Sequence, residues 1–154
     1  MKYKIYCDLD GVLTDFDRAY EELTGKDIRG QHLSGKSFWE PIDKAGVKFW
    51  SEMKWKDDGH ELWNYIKEYK PKILSAPSVK DSSRVGKHEW VERELPGVPL
   101  LLRSAKHKKD FSEPNAILID DREDNINGWI EEGGIGILHT DTKSTIEQLK
   151  NHKL

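Results

Sequence analysis

The amino-acid sequence predicts an α/β fold with a mostly parallel sheet, on three observations. Four short apolar runs, Tyr3–Cys7, Lys72–Leu74, Pro99–Leu102 and Ala116–Ile119, each end in polar or turn residues, and a weaker fifth, Ile135–Leu138, follows Gly133-Gly134. Runs this short and this apolar read as strands buried on both faces. Helical patterns separate them, and residues 17–58 interrupt the alternation with a longer segment of different character.

The helices follow from spacing. His60–Tyr69 carries Leu62, Trp63, Ile66 and Tyr69 three and four residues apart. Ser83–Leu95 carries Trp90, Val91 and Leu95, and Pro96-Gly97 stops it. Asn125–Glu132 offers Ile126, Trp129 and Ile130, and Thr142–Asn151 offers Ile146 and Leu149. Strands alternating with helices imply right-handed crossovers and a three-layer, Rossmann-like α/β/α core. Residues 17–58 hold the turn signals Gly25, Gly30, Gly35, Pro41 and Gly46 and the aromatics Phe38, Trp39, Phe49, Trp50 and Trp55. That is too long for a plain loop, so it predicts a small helical cap inserted after the first strand. Most of its rings are expected to form a miniature core; one or two facing the mouth of a site could stack on a planar ligand.

Composition bounds the function. The chain has 154 residues, 25 Lys+Arg against 28 Asp+Glu, and a formal charge of −3. One domain spanning 1–154 is expected. Interspersed charges of both signs argue against disorder and against a basic nucleic-acid module. No apolar run approaches the ~20 residues of a membrane span, and no apolar leader precedes the first strand. The single Cys7 excludes an internal disulfide, and no Cys/His spacing suggests zinc. A soluble, cytoplasmic protein of uncertain oligomeric state is expected.

The chemistry concentrates at strand ends. Asp8-Leu9-Asp10-Gly11-Val12-Leu13-Thr14-Asp15 follows the first strand directly, where ligands bind in open parallel sheets. Two carboxylates two residues apart in extended chain face the same side and repel, so they call for a cation such as Mg²⁺ or a shared proton. An EF-hand loop does not fit, because Gly11 follows the second aspartate immediately. A cysteine phosphatase using Cys7 would want an arginine where Leu13 stands. Surface aspartates in a turn would fit the short motif equally well, so the rest of the chain decides. The second strand ends in Leu74-Ser75-Ala76-Pro77, Lys87 lies in the next helix, and the fourth strand ends in Ile119-Asp120-Asp121-Arg122. Each alone has a plain explanation as a cap or a solvated charge. Together they place acid, hydroxyl, lysine and acid pair at or near one sheet edge. A phosphoacceptor receiver domain would carry its acid pair after the first strand and its acceptor in the middle, the reverse of this order.

Asp8–Asp15, Ser75, Lys87 and Asp120-Asp121 resemble the four signatures of the haloacid dehalogenase superfamily of phosphohydrolases. More narrowly, Ser75-Ala76-Pro77, Lys87-His88-Glu89-Trp90-Val91-Glu92, Leu101-Leu102-Arg103 with Lys106, and Ile119-Asp120-Asp121-Arg122 are similar to the 5'(3')-deoxyribonucleotidase branch. The resemblance implies a Mg²⁺-dependent phosphomonoesterase with Asp8 as nucleophile and Asp10 as general acid and base. It implies metal ligation by Asp8, the Asp10 carbonyl and Asp121, with Asp120 acting through water or by orienting the others. Ser75 and Lys87 would grip the phosphoryl oxygens, aided by N–H groups near Leu9 and Ala76. Arg103 and Lys106 would meet a second phosphate or a nucleotide. Asp15 is expected to cap a helix, and Asp124 to start one or support Lys87. The implied substrate is a small phosphorylated molecule, most plausibly a (deoxy)nucleoside monophosphate. A nucleic-acid 3'-phosphatase fits the charge balance poorly. A non-catalytic Mg²⁺- or phosphate-binding module is the alternative of a different class.

Overall fold

A computed structural model describes residues 2–154. Five parallel strands, β1 (Lys4–Cys7), β2 (Lys72–Ser75), β3 (Leu100–Leu102), β4 (Ala116–Asp120) and β5 (Ile135–Leu138), form one sheet in the order β3-β2-β1-β4-β5. β1 is central, and the order reverses on either side of it. Such a switch point leaves a crevice outside the carboxyl ends of the strands.

Alternation along the strands divides the core. One face sends Ile5, Cys7, Ile73, Ile117 and Ile119 towards α4 (Gly59–Ile66), α5 (Asp81–Glu94) and α7 (Thr142–Asn151), which contribute Leu62, Ile66, Trp90, Val91 and Leu149. The other sends Tyr6, Leu74 and Leu118 towards Ile126 and Trp129 of α6 (Glu123–Glu131), with Phe111 of a 3₁₀ helix, Ala105–Phe111, packed beside them. Both faces are covered, which is why these strands read as uninterrupted apolar runs. Boundaries differ from expectation by a residue or two. The helix expected over His60–Tyr69 ends at Ile66 and tightens into a 3₁₀ turn, Lys67–Tyr69. The Ala105–Phe111 helix was not expected at all.

Between β1 and α4 lie α1 (Phe16–Thr24), α2 (Lys36–Ala45) and α3 (Val47–Ser51). Asp15 starts α1 by accepting from the Arg18 N–H at 3.2 Å, and Gly25 ends it in a left-handed conformation. The rings of this segment pack on one another: Tyr20 on Phe38 with centroids 4.5 Å apart, and Phe16 against Phe49 at 5.5 Å. α3 is pressed onto α5 at Gly86, where a β-carbon would overlap Trp50 Cβ and lie 2.8 Å from the Val47 carbonyl. Trp90 Nε1 donates to the Met53 carbonyl at 2.7 Å, so the end of the segment is bonded to α5. Among the described residues no helix is long and apolar enough to cross a membrane.

Candidate active site

Register brings the acids together. Cys7 of β1 lies opposite Ile119 of β4 and Ile73 of β2, so Asp8 and Asp120, which follow directly, and Ser75, two residues beyond Ile73, emerge at the same edge. The Asp8 N–H donates to the Ile119 carbonyl at 2.9 Å, and the His139 N–H holds the Asp120 carbonyl at 2.8 Å. The chain then turns back on itself, with the Val12, Leu13 and Thr14 N–H groups all donating to the Leu9 carbonyl. Gly11 permits this turn at φ 85°, and a β-carbon there would overlap the Asp121 carboxylate. One residue thus satisfies a backbone need and leaves room for a distant acid.

Two lysines organise the carboxylates. Lys87, 1% exposed, donates to Asp10 Oδ2 at 2.6 Å and Ser75 Oγ at 2.9 Å, and its ammonium sits 5.0 Å from the centre of the Trp50 ring. Asp10 Oδ1 accepts from Thr14 Oγ1 at 2.9 Å. Lys108, 2% exposed, bridges Asp8 Oδ1 at 3.0 Å and Asp120 Oδ2 at 2.8 Å. Asp120 also accepts from the Arg122 N–H at 2.9 Å and Asn125 Nδ2 at 3.1 Å. Its carboxylate is heavily committed within the chain. The Leu9, Asp10 and Ala76 N–H groups donate to no acceptor among the described residues.

Carboxylate oxygens of Asp8, Asp120 and Asp121 lie within 4.8 Å of one another, close enough to hold one metal ion. Four carboxylates, counting Asp10, face two ammonium groups, which leaves two negative charges uncompensated. Asp121 has no cation within ion-pair distance among the described residues, and burial, followed by the Asp120 charge, lifts its pKa to about 6. Burial and the Asp120 charge also raise Asp8 well above the ordinary carboxylate range, with Lys108 opposing them. Burial alone would favour a neutral Lys108; Asp8 and Asp120 outweigh it, so Lys108 is held charged. Hard oxygen ligands with unspent negative charge suit a small divalent cation.

The structure therefore brings together Asp8, Asp10, Ser75, Lys87, Asp120 and Asp121, with Leu9 and Ala76 beside them. Arg103 follows β3 at the same edge, its N–H donating to the Ser75 carbonyl at 3.1 Å, but neither its side chain nor that of Lys106 is bonded to these residues. Arg103 is exposed, its guanidinium donating to the Leu102 carbonyl at 2.8 Å and resting 5.4 Å from the Phe111 ring centre. Lys106 is exposed on the outer side of the 3₁₀ helix, and Asp124 is exposed at the start of α6, apart from the Lys87 contacts. Lys108 is the residue that sequence reasoning missed inside the run Lys106-His107-Lys108-Lys109. A signal existed: Ala105, Lys108 and Phe111 are three apart and share one face of a 3₁₀ helix, which is the inward face here.

The sequence matches no family model and no curated protein sequence. Solved structures do match. A hydrolase from Streptococcus pneumoniae TIGR4 superposes with a TM-score of 0.60 at 15% identity, covering 97% of this chain and 100% of its own. L-2-haloacid dehalogenase from Xanthobacter autotrophicus, with chloropropionic acid covalently bound, gives 0.58 at 10% identity, over 98% of this chain and 83% of its own. A HAD-family enzyme from Bacteroides thetaiotaomicron, in complex with magnesium and inorganic phosphate, gives 0.52 at 16% identity, over 89% of this chain and 93% of its own. At such identities the likeness is one of fold. The chain has the α/β fold of the haloacid dehalogenase-type hydrolases.

Proposed function

We propose that the protein is a Mg²⁺-dependent phosphomonoesterase that works through an aspartyl-phosphate on Asp8. The observation that carries this reading is the pair of buried lysine bridges, Lys108 between Asp8 and Asp120 and Lys87 between Asp10 and Ser75. They hold a nucleophilic acid, a second acid and a phosphate-sized set of donors at one sheet edge. The neighbour from Bacteroides thetaiotaomicron, with magnesium and phosphate bound on the same fold, points the same way.

In this reading an Asp8 carboxylate oxygen attacks phosphorus, and the bond to the ester oxygen breaks. Asp10 gives that departing oxygen a proton, then takes one from the water whose oxygen displaces Asp8 and releases inorganic phosphate. Splitting one displacement into two lets the same acid serve both halves. Lys87, Ser75 and the free N–H groups of Leu9, Asp10 and Ala76 receive the phosphoryl oxygens, and their hold strengthens as charge develops there. Lys108 opposes the protonation of Asp8 and aims its carboxylate. Asp8, Asp121 and the Asp10 carbonyl, with Asp120 orienting the set, would hold Mg²⁺, which would supply positive charge where an anionic nucleophile meets a phosphate dianion.

The finer reading, a (deoxy)nucleoside monophosphate as substrate, rests on the Ser75-Ala76-Pro77 and Lys87–Glu92 resemblance and on the aromatic insertion, in which Trp39 and Trp55 are the half-buried rings and Phe38, Phe49 and Trp50 are buried. Residues 17–58 would then serve as the cap of a single domain. The test is phosphate release, with Mg²⁺, from p-nitrophenyl phosphate and from a panel of nucleoside and sugar monophosphates. Turnover of the nucleotides above the sugar phosphates supports both levels of the reading. Sugar phosphates preferred would remove the finer level, and no release from any compound would overturn the whole.

A further inference from the structure

A second concavity lies at the opposite end of the sheet. β1 pairs with β4 from Lys4 onward but with β2 only from Tyr6, which lies opposite Lys72. The residues before Tyr6 therefore overhang the start of β2, and the gap is a cavity of 540 Å³. That is the size of a small-ligand pocket. Tyr3, Ile5, Tyr69 and Leu154 give it an apolar and aromatic wall on one face of the sheet.

The rim is basic. Lys2, Lys4, Lys70 and Lys72 line it, against a single acidic side chain, Glu68. Lys4 is paired with Glu113 at 2.9 Å, but among the described residues no carboxylate reaches Lys2, Lys70 or Lys72. Lys70 is held at φ 52°, a conformation that favours glycine or asparagine, in the turn that leads into β2. Tyr6 also lines the cavity, its ring packed on Phe111 and Trp129 on the other face of the sheet.

We propose that this cavity binds a small organic polyanion with a planar ring, the ring lying on Tyr3 and Tyr69 and the anionic groups meeting Lys2, Lys70 and Lys72. Ammonium groups with no carboxylate partner, beside an apolar wall, favour a ligand that combines charge with a flat apolar body. The site is separate from the acids at the carboxyl edge and stands whether or not those turn over phosphate esters.

Binding of pyrene tetrasulfonate, a fluorescent planar polyanion, to the full chain tests this by anisotropy. The expected result is saturable binding that weakens with salt. It should be about tenfold weaker in Lys70→Asn/Lys72→Gln, weaker also in Tyr3→Ala, and unchanged in Lys87→Gln. Any hydrolysis of p-nitrophenyl phosphate should be the same in the double-lysine variant as in the parent. Equal binding by parent and double variant, absence of binding, or loss of binding in Lys87→Gln would overturn the proposal. So would displacement of the dye by a polyglutamate peptide at lower concentration than by nucleotides or aryl phosphates, which would assign the face to an acidic protein segment.

Discussion

The two ends of this sheet carry lysines in opposite circumstances. At the carboxyl end Lys87 and Lys108 are almost fully buried, and each bridges two oxygen groups within 3.0 Å. At the amino end Lys2, Lys4, Lys70 and Lys72 are exposed, and among the described residues only Lys4 has a carboxylate within ion-pair distance, in a pair whose side chains are both about half exposed. The same residue type is therefore structural and chemical at one end and a solvated rim at the other. Desolvation makes the difference: a charge taken out of water must be matched, so buried lysines come with fixed partners and fixed geometry. Exposed ones remain free for whatever arrives.

Substitutions at the two ends should differ by orders of magnitude. Asp8→Asn removes the proposed nucleophile at nearly constant volume. Turnover should fall by roughly 10³-fold or more while the circular dichroism spectrum is retained; near-parent turnover would remove Asp8 from that role. Lys108→Met should cost about 3–5 kcal/mol in denaturant unfolding, because it strands Asp8 and Asp120 as unpaired buried acids. Gly11→Ala asks for φ 85° in a residue with a β-carbon and pushes that carbon into the Asp121 carboxylate. Backbone strain of about 1–2 kcal/mol is expected there, together with a weaker response of Tm to Mg²⁺. At the other end Lys4→Ala breaks an exposed ion pair and should leave Tm nearly unchanged, with any difference vanishing at high salt.

A pH titration sharpens the contrast. Asp121 is raised to about 6 and Asp8 is raised as well, both first by burial. Acids raised on folding keep protons that the unfolded chain has already released. Without metal, their part of the stability is therefore gained as pH falls through about 6 and lost as pH rises through it. Buried His139, whose pKa is lowered by burial, contributes in the opposite sense and loses stability as pH falls, but it does so with or without metal. The increase in Tm on adding Mg²⁺ isolates the acids and should be larger at about pH 7.5 than at about pH 5.5. An equal increase at both values would mean that the acids are not held in a charge-deficient cluster.

How much was legible varies residue by residue. β4 could be read outright, because Ala116-Ile117-Leu118-Ile119 is apolar on both faces and strand burial is itself a sequence pattern. Asp8, Asp10 and Asp120-Asp121 were legible because they end strands, and a parallel sheet aligns strand ends. Lys108 was hidden for a reason of the same kind. A lysine among lysines carries no periodic signal unless the helix type is known, and a short 3₁₀ helix is fixed by what it packs on rather than by propensity. The packing of the insertion's rings on one another, and the bonding of its far end to α5, were equally out of reach. They depend on Gly86 letting two helices approach, which no spacing encodes.

The sequence by itself determined the alternating architecture and the concentration of acids at strand ends, since these follow from local burial periodicity and from where chain segments end. Only the tertiary structure decided the strand order, with its switch point at β1, and which cations face which acids. It put Lys108 on Asp8 and Asp120, Lys87 on Asp10 and Ser75, and left Arg103 on its own strand carbonyl. Pairing of buried charges is a matter of distances of a few ångströms between residues as many as 100 positions apart, and those distances are fixed by packing, not by the order of residues along the chain.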